Sequence, residues 1–233
     1  MKQAYGMPPP GVDLRDLTGL LVVLEGQDNS GRSTHVGVLS KWLQKEGYAV
    51  VETGLRRSDL VAPELAAARE GNTLSPRTMS LFYATDFYDQ LENRIVPALR
   101  SGAVVLADRY VFTLMARDLV RGADPAWVEN LYAKAIVPDA LFYLQASPRT
   151  LLDHRLGNHP ELDYWESGMD LGLSRDWLAS FLGYQKRMRR QFDTLAERHG
   201  FDVVNANRTI KSVQRDLQRR MVGVLANWQG ALP

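Results

Sequence analysis

The segment Gly26–Ser33, with the sequence GQDNSGRS, has the residue types and the spacing of a loop that binds phosphate. It matches the pattern G-x-x-x-x-G-K-[ST], except that Arg32 occupies the lysine position. Glycines let the backbone curl so that successive N–H groups point inward at an anion. A helix that begins near Arg32 would add the partial positive charge of its N-terminus. The pattern predicts a phosphate-binding loop (P-loop) for a nucleotide, and an ordinary glycine-rich turn is the alternative.

The last two residues of this loop decide which chemistry it supports. Ser33 occupies the position from which a hydroxyl group coordinates Mg²⁺. Arg32 is planar, forked and bulkier than lysine, so it can neutralise phosphate without occupying the same groove. This exchange is compatible with nucleotide binding and with a reduced turnover.

Apolar runs and helical periodicity indicate which elements position the loop. Apolar runs predict buried strands at residues 20–24, 103–107 and 140–144, and two shorter β-like segments at 48–52 and 202–205. Periodicity and cap signals predict helices after the loop, at about 76–101, 124–136 and 174–198, and from Ser147 and Ile210. Strands that alternate with helices require a parallel sheet with helices on both faces. We therefore expect an α/β protein with a three-layer P-loop NTPase fold and a parallel five-stranded sheet, whose ligands bind beyond the carboxyl ends of the strands.

The bulk composition limits the class of protein. The 233 residues suffice for one sizeable domain, and 45% hydrophobic with 24% charged residues is ordinary for a globular protein. The net charge of +1 gives no general attraction to nucleic acid or membranes, and we expect neither as a partner. No apolar run is long enough to cross a bilayer. The sequence contains no cysteine, which fits a cytoplasmic location, and its four histidines share no metal-ligand spacing.

Five motifs together resemble the thymidylate kinase family of nucleoside-monophosphate kinases. They are the loop from Leu24 to Thr34 and the sequences LFYATD at 81–86, DRY at 108–110, PDALFYL at 138–144 and NANR at 205–208. The resemblance extends from about Leu20 to Leu225. It implies transfer of the ATP γ-phosphoryl group to dTMP or a related nucleotide, with Mg²⁺ as a cofactor. It also implies a homodimer, for which the predicted helix at 76–101 could supply an interface.

The resemblance implies a single P-loop nucleotide kinase-like domain over residues 1–233, with an N-terminal arm at 1–18 and a lid at about 155–173. The MPPPG run at 7–11 predicts a flexible or extended arm. The lid sequence is polar, contains Gly and Pro and lacks periodicity, which favours a mobile segment.

The resemblance assigns the ATP and metal sites to the loop and to the ends of strands. The nucleotide would contact Gly26, Gln27, Asn29, Ser30, Gly31, Arg32, Ser33 and Thr34, with Asn207 near the adenine. The metal would lie among Ser33, Asp28 and Asp108. The catalytic residues would be Arg32, Asp28 and Arg109, of which Arg109 would bridge the donor and acceptor phosphates. Two purely structural alternatives stay open: Asp108 and Arg109 could form a strand-end ion pair, and 205–208 could be only a turn.

The acceptor site is implied by four residues. Arg56 or its neighbour Arg57 would hold the acceptor phosphate together with Arg109, although a solvated basic turn is an equal alternative. Tyr83 would stack on the acceptor base, or it could be a core residue of an amphipathic helix. Tyr110 would help to close the acceptor pocket.

Two features depart from the family pattern. Phe87 stands where the family usually has an arginine that reads a thymine carbonyl, and phenylalanine cannot donate that hydrogen bond. The lid at 157–173 contains acidic residues and no Lys or Arg, although a missing arginine can lower the rate of phosphoryl transfer by about 10³–10⁵. Arg149, Arg155 and Arg175 flank the lid. The basic run at 186–190 is another source of charge, and a solvated helix face is its preferred interpretation.

The sequence therefore leaves three hypotheses about activity. The first is an ATP-dependent kinase for dTMP. The second keeps the reaction but has a different nucleoside or nucleotide acceptor, because Phe87 would make the pocket more apolar. The third is a catalytically weakened nucleotide-binding protein (pseudokinase), which Arg32 and the acidic lid would explain.

Overall fold

The computed structural model describes residues 1–71, 74–158 and 161–228. Its centre is a five-stranded parallel sheet with the strand order β2-β3-β1-β4-β5. The strands are Leu20–Glu25 (β1), Val50–Gly54 (β2), Val104–Asp108 (β3), Ala140–Gln145 (β4) and Asp202–Asn205 (β5). The α/β class and the parallel five-stranded sheet predicted from the sequence are confirmed.

Helices connect the strands and follow the last one. Helix α1 is Arg32–Lys45, and between β2 and β3 lie α2 (Ala62–Gly71), α3 (Pro76–Gln90) and α4 (Val96–Arg100). Between β3 and β4 lie α5 (Val111–Val120) and α6 (Pro125–Leu131), and between β4 and β5 lie α7 (Pro148–Asn158) and α8 (Trp177–His199). Helix α9 is Ile210–Asn227, and short 3-10 turns occur at Leu14–Asp16 and Met169–Leu171.

The helices cover both faces of the sheet, which explains why the strands are continuous apolar runs. Successive side chains of a strand point to opposite faces. Leu21 and Val23 of β1 therefore belong to a core with α3, α5 and most of α8, while Val22 and Leu24 belong to a second core with α1 and α9. All four side chains have no exposed surface. The two cores fix β1, and with it the start of the P-loop, at the centre of the protein.

The helical stretch predicted at about 76–101 is confirmed over 76–100, and it contains a π-helical turn. Helix α3 ends at Gln90, a π-helical turn covers Leu91–Ile95, and α4 contains Pro97 near its start. A proline lacks the N–H group that a regular helix needs, so it restricts how the helix can continue. Helix α2 was not predicted from the sequence. Leu65 is its one buried residue, so α2 lacks the apolar stripe that reveals a helix by periodicity.

The N-terminal arm packs against the rest of the fold. Ala4 forms an antiparallel bridge with Ile136, and the amides of Tyr5 and Gly6 donate to carbonyls of residues 135 and 133. The Tyr5 ring packs edge-on against Phe112 at 5.7 Å between ring centroids. This pairing also explains why α6 ends at Leu131 and not at the predicted residue 136, since the backbone of 133–137 bonds to the arm.

Across the described ranges, none of the helices is long and apolar enough to span a lipid bilayer.

Candidate functional site

The P-loop leaves β1 at the carboxyl edge of the sheet and leads directly into α1. Gly26 has a φ of 151°, and an added Cβ there would lie 2.8 Å from the Leu144 carbonyl oxygen. Gly31 has a φ of 87° and precedes α1 without a side-chain cap. Both positions favour glycine, because a side chain would meet the backbone or adopt a strained conformation.

The loop amides are available to an anion. Among the described residues, Ser30 is the only one of 27–31 whose amide donates to a backbone carbonyl, that of Gln27, at 3.2 Å. The first amides of α1 at Arg32, Ser33 and Thr34 have no intrahelical acceptor, because a helix leaves its first N–H groups unpaired. This is the arrangement that the loop sequence predicts for phosphate binding.

Two side chains fasten the loop to the rest of the protein. Gln27 is buried and donates to the carbonyl oxygen of Gln185 on α8 at 2.6 Å. Asn29 has a φ of 66° and donates from Nδ2 to Glu166 Oε2 at 3.2 Å. These side chains hold the loop conformation, and the backbone amides of the same residues, which donate to no backbone carbonyl in the described structure, would face phosphate.

Arg32 lies inside the curve of the loop. Its Nη1 donates to the Gly26 carbonyl oxygen at 2.6 Å, to Ser30 Oγ at 2.8 Å and to the Gln27 carbonyl oxygen. Its Nε donates to Asp108 Oδ1 at 3.2 Å. Burial and repulsion by Arg109 lower the pKa of Arg32 to about 10, so the guanidinium is still charged at neutral pH. Arginine therefore braces the loop carbonyls, which a single ammonium group would do with fewer bonds.

Ser33 and Asp108 meet at the end of β3. Ser33 Oγ donates to Asp108 Oδ2, and the strand register places Asp108 opposite Leu24 and Gly54. Burial would raise the pKa of Asp108, but the charges of Arg32 and Arg109 lower it below its ordinary value. A hydroxyl and an ionised carboxylate are oxygen ligands of the kind that Mg²⁺ prefers. The described residues hold no cluster of three or more His, Cys, Asp or Glu, so these two residues fit an ion that takes its remaining ligands from water and phosphate.

Asp28 is paired with two arginines. Its carboxylate accepts from Arg109 Nη2, and from Arg117 Nη2 at 3.0 and 3.1 Å. Burial alone would raise the pKa of Asp28, but the charges of Arg109 and Arg117 lower it well below the ordinary range. Asp28 therefore holds two guanidinium groups beside the P-loop, and a direct role as a metal ligand stays a prediction.

The turn that contains Arg109 has a strained backbone, and hydrogen bonds to Glu25 hold the residues that follow it. Arg109 has a φ of 74°, and its amide donates to the Leu24 carbonyl oxygen at 3.0 Å. Glu25 is fully buried at the end of β1 and accepts from the amides of Tyr110 at 2.8 Å and Thr113 at 3.2 Å. It also accepts from the Thr113 hydroxyl. Glu25 thus caps the first turn of α5 and fixes the direction in which Arg109 leaves the chain.

A cavity opens beside Asp28, between α3, α5 and the lid. Its volume is about 40 Å³, smaller than a usual small-molecule site, so a bound nucleotide would require its walls to move apart. Tyr83, Leu114, Arg117, Tyr132 and Tyr184 are among its lining residues. The Arg117 guanidinium lies 5.7 Å from the centroid of the Tyr83 ring. Tyr83 is mostly buried and also forms part of the cavity wall. It therefore fits both the role in base stacking and the role of a core residue.

Arg56 lies where positive charges converge. Its backbone has a φ of 62°, and its amide donates to Asp86 Oδ2 at 2.7 Å. Partial burial and the nearby charge of Arg69, followed by Arg109 and Arg117, lower the pKa of Arg56. Mutual repulsion among arginines is relieved by an anion, so this cluster suits a phosphate group.

Two aromatic residues named in the sequence analysis pack in the core, and the role of Tyr110 in closing the acceptor pocket stays a prediction. Tyr110 is 2% exposed, and its hydroxyl donates to the Ile136 carbonyl oxygen at 3.0 Å, so its ring packs in the core and does not line the Tyr83 cavity. Phe87 is also in the core, edge-on to Tyr110 at 5.2 Å between ring centroids. Phe87 therefore does not make the cavity wall more apolar, although it supplies no hydrogen bond to a base.

Asn207 lies in a turn after β5, and its side chain accepts hydrogen bonds from the start of helix α7. Its Oδ1 accepts from the Ser147 amide and from Thr150 Oγ1, both at 2.8 Å, at the start of α7. This supports the interpretation of 205–208 as a turn that fastens α7 to the sheet. Contact with adenine stays a prediction for the exposed surface of the same turn.

The lid segment reaches the P-loop through one acidic side chain. Glu166 accepts from Asn29 and lies 3.6 Å from Arg155 Nη1, and His154 Nδ1 lies 3.0 Å from the Asn29 carbonyl oxygen. Burial and repulsion by Asp28 raise the pKa of Glu166. Trp165 donates from its indole to the Arg69 carbonyl oxygen on α2 at 3.0 Å. Residues 159 and 160 of the predicted lid lie outside the described residues, and the mobility of the lid stays a prediction.

Sequence reasoning missed several residues that the structure brings to the site. They are Glu25, Arg69, Ser80, Arg117, Asp118 and Arg121. Arg155 and the acidic lid residues were noted for their charge, but not for their contact with each other. The spacing offered one signal, because Arg121 follows Arg117 by four residues, which places both on one side of a helix. The basic run at 186–190 is a largely solvated face, as preferred above, in which Arg189 lies 3.7 Å from Asp193.

The loop with open amides, the serine–carboxylate pair beside it and the arginine-bordered cavity are features that a P-loop nucleotide kinase would need.

Comparisons with known proteins give the particular family. Residues 24–217 match the family described as thymidylate kinase. "Probable thymidylate kinase 2" of Saccharolobus solfataricus is 36% identical over 204 residues, covering 87% of this chain and 95% of that protein. "Probable thymidylate kinase" of Thermococcus gammatolerans is 28% identical over 209 residues, covering 85% and 94%. "Thymidylate kinase" of Akkermansia muciniphila is 33% identical over 163 residues, covering 70% and 79%. The chain belongs to the thymidylate kinase family.

Proposed function

We propose that the protein is an ATP-dependent thymidylate kinase that transfers the γ-phosphoryl group of ATP to dTMP or a closely related deoxynucleotide. The observation that carries the proposal is the pairing of Asp28, inside the P-loop, with both Arg109 and Arg117. Arg117 also lines the Tyr83 cavity. The phosphate loop and the Tyr83 cavity are thus joined by two guanidinium groups, as transfer between two phosphates requires. The names of the relatives support dTMP as the acceptor.

The donor side is the P-loop. Its open amides and the start of α1 would hold the ATP phosphates, with Arg32 adding charge from within the loop. Ser33 and Asp108 would hold Mg²⁺, which when bound neutralises charge on the phosphate oxygens. The exposed surface of the turn that contains Asn207 would lie near the adenine.

The acceptor side is the cavity. Arg56 and Arg109 would hold the acceptor phosphate, and the base would stack on the Tyr83 ring. An oxygen of the acceptor phosphate attacks the γ-phosphorus, the bond to the β-phosphate oxygen breaks, and ADP leaves. No covalent enzyme intermediate is needed, because positioning and charge stabilisation supply the catalysis. Arg155, at the start of the lid, lies 3.6 Å from Glu166 and would add charge on release from it.

A coupled ADP-release assay tests the proposal. ADP formation would be measured with Mg²⁺ and ATP against dTMP, dUMP, dCMP, dAMP and dGMP, with a reaction that lacks acceptor as the control for ATP hydrolysis. We expect the highest kcat/KM with dTMP. The proposal fails when no monophosphate raises ADP formation above the control.

A homodimer and a cytoplasmic location are also proposed. Helix α3 presents Leu81, which is 46% exposed, as the type of residue that an interface would cover. The absence of cysteine fits a reducing compartment. Light scattering after gel filtration would measure the mass in solution, and cell fractionation would test the location.

A further inference from the structure

One wall of the acceptor cavity carries a carboxyl group that the roles above do not use. Asp118 lies on α5 and lines the cavity. Its Oδ2 accepts from Ser80 Oγ at 2.6 Å, and no donor to its Oδ1 is found in the part of the chain that the structure describes. Asp118 is half-buried, so this oxygen can accept a hydrogen bond from a molecule in the cavity.

The position of Asp118 relative to Tyr83 places it at the edge of a bound base. Ser80 and Tyr83 are three residues apart on α3, and such residues are neighbours on one helix face, about 5–6 Å apart at Cβ. Ser80 holds Asp118. A base that stacks on the Tyr83 ring would therefore have its edge within reach of the Ser80–Asp118 pair.

The arginines next to Asp118 are engaged elsewhere. Arg117 pairs with Asp28, and Arg121 pairs with Asp170 at 2.7 Å. Neither makes a hydrogen bond to Asp118 among the described residues. The carboxylate thus remains an acceptor in a wall that is otherwise rich in apolar and aromatic groups.

A second polar group in the same wall is poorly paired. Tyr132 is 2% exposed and lines the cavity, and its buried hydroxyl lies near the Ser80 hydroxyl without a hydrogen bond of ordinary geometry in the described structure. An unpaired buried hydroxyl costs free energy unless a ligand or water satisfies it. Its presence is a second indication that a polar ligand group binds at this wall.

There is room on the far side of this wall. A second cavity, with a volume of about 280 Å³, is lined by Ser80, Asp118 and Arg121, which line the acceptor cavity too. Trp127 is another of its lining residues. The base end of the acceptor site is therefore bounded by a small serine and a carboxylate, with space beyond them.

We propose that Asp118, together with Ser80 and Tyr132, forms a subsite for a hydrogen-bond-donating substituent on the acceptor pyrimidine, such as a hydroxymethyl group in place of the thymine methyl. The inference rests on the proposed function, because it requires a nucleotide acceptor in the Tyr83 cavity. A methyl group would leave the Asp118 oxygen and the Tyr132 hydroxyl unpaired, whereas a hydroxymethyl group donates to one and accepts from the other. The substrate class is thus deoxynucleotides with a polar substituent on the base.

Isothermal titration calorimetry with a pair of isosteric nucleotides tests this subsite. The Kd values of 5-hydroxymethyl-dUMP and 5-ethyl-dUMP would be compared, because the ethyl group has the same size but no donor. We expect the wild-type protein to bind the hydroxymethyl nucleotide about tenfold or more tightly than the ethyl nucleotide, the usual range for a hydrogen bond to a charged group. A wild-type ratio near one overturns the inference, whatever the variants do.

Two variants at one position assign the effect to Asp118. Asp118→Ala removes the acceptor, and we expect the ratio to fall to about one. Asp118→Asn keeps an acceptor oxygen, so most of the ratio should be retained. An unchanged ratio in Asp118→Ala contradicts the inference.

The proposed function is tested separately by dTMP turnover in the same preparations. Turnover of dTMP together with a ratio near one overturns the subsite alone. A wild-type protein that neither binds nor phosphorylates dTMP overturns both.

Discussion

The two ends of the acceptor cavity are built in different ways. At the phosphate end, Asp28 of the P-loop forms ion pairs with Arg109, which follows β3, and with Arg117 on α5. At the base end, Ser80 and Asp118 form one hydrogen bond in an apolar wall, and the Tyr132 hydroxyl has no hydrogen bond of ordinary geometry among the described residues. The carboxylate of the first end is fully paired, although the buried Nε of Arg109 has no partner in the described structure, whereas the carboxylate of the second end keeps one oxygen without a donor.

This difference indicates a division of labour. Charges that are already paired and oriented need little rearrangement when phosphate binds, which favours catalysis of one fixed reaction. Polar groups that are left unpaired favour whichever ligand satisfies them, which determines the choice of acceptor. Substitutions at the phosphate end should therefore lower turnover with every acceptor, and those at the base end should change the preference among acceptors.

Arg109→Met should have the largest effect. The variant keeps the length of the side chain but removes the guanidinium that Asp28 holds beside the P-loop. We expect kcat to fall by about 10³ with all accepted monophosphates, since a missing arginine in phosphoryl transfer costs that much or more. Steady-state kinetics would measure it.

The control for Arg109→Met is Arg190→Met, which removes an exposed arginine of α8. Its kcat should remain within about twofold of wild type, as is usual for a surface substitution away from special contacts. A loss that is confined to one acceptor would contradict the division between the two ends.

The phosphate end was predictable because its residues are close in sequence or tied by register. The loop spacing located Gly26–Ser33, and the parallel register of β1 with β3 places Asp108 next to Ser33. These contacts follow from the order of elements in an α/β sheet. The pairing of Arg117 with Asp28 depends on the rotation of α5, which the uniformly apolar sequence at 111–116 does not specify.

The base end could not be predicted, because its residues come from separate elements. Ser80 lies on α3, Asp118 on α5 and Tyr132 after α6, and nothing in the spacing of these residues brings them together. Phe87 shows the same limit, since an aromatic residue beside a pocket motif can face either the pocket or the core, and here it faces the core. The docking of the N-terminal arm was hidden too, because a proline-rich run does not identify the backbone it pairs with.

Asp108→Asn should weaken the response to magnesium. The amide keeps the shape of the side chain but loses the charge that would attract the ion, and Arg32 loses its charged partner. We expect the Mg²⁺ concentration for half-maximal activity to rise about 10–100-fold, as for changes around other metal sites. Titration of Mg²⁺ at fixed ATP would measure it.

Asp193→Asn is the matched control for the magnesium titration, because Asp193 lies on α8 and pairs only with Gln145 and Arg189 in the described structure. Its magnesium titration should coincide with that of wild type. Equal curves for Asp108→Asn and wild type would exclude Asp108 as a metal ligand.

Arg32→Lys tests whether the unusual arginine serves structure more than turnover. Lysine cannot reproduce the bonds of Nη1 to the loop carbonyls and of Nε to Asp108, so the melting temperature Tm should fall by a few degrees. The ammonium group is free to reach the phosphates, so we expect kcat to rise about tenfold. Calorimetry and kinetics would measure the two changes.

A fall in both Tm and kcat for Arg32→Lys would show that the guanidinium contacts phosphate directly. Arg32→Met separates charge from packing in the same experiment. We expect it to lose activity whichever way Arg32→Lys goes, because no positive charge then remains within the loop.

Asp118→Asn should change the pH dependence of stability, which distinguishes the base end from the well-paired phosphate end. Burial raises the pKa of Asp118 to about 6, against the opposing hydrogen bond from Ser80 and the charges of Arg121 and Arg117. The folded state therefore binds a proton more tightly than the unfolded chain, and the stability contributed by this group is lost as the pH rises from about 4 to about 6. At pH 7.5 the variant, which has no charge to bury, should have a Tm a few degrees above wild type. The difference should shrink at pH 5.

Asp59→Asn, an exposed residue, controls for the loss of one negative charge and should show the same small Tm difference at both pH values. A Tm advantage of Asp118→Asn that is equal at pH 5 and pH 7.5 would mean that the carboxylate is not strained by burial. If the advantage disappears at low pH, the protein keeps at its base end an ionised group that lowers its stability. Such a cost is expected where a residue is retained for ligand recognition and not for folding, which is the role that the comparison of the two ends assigns to Asp118.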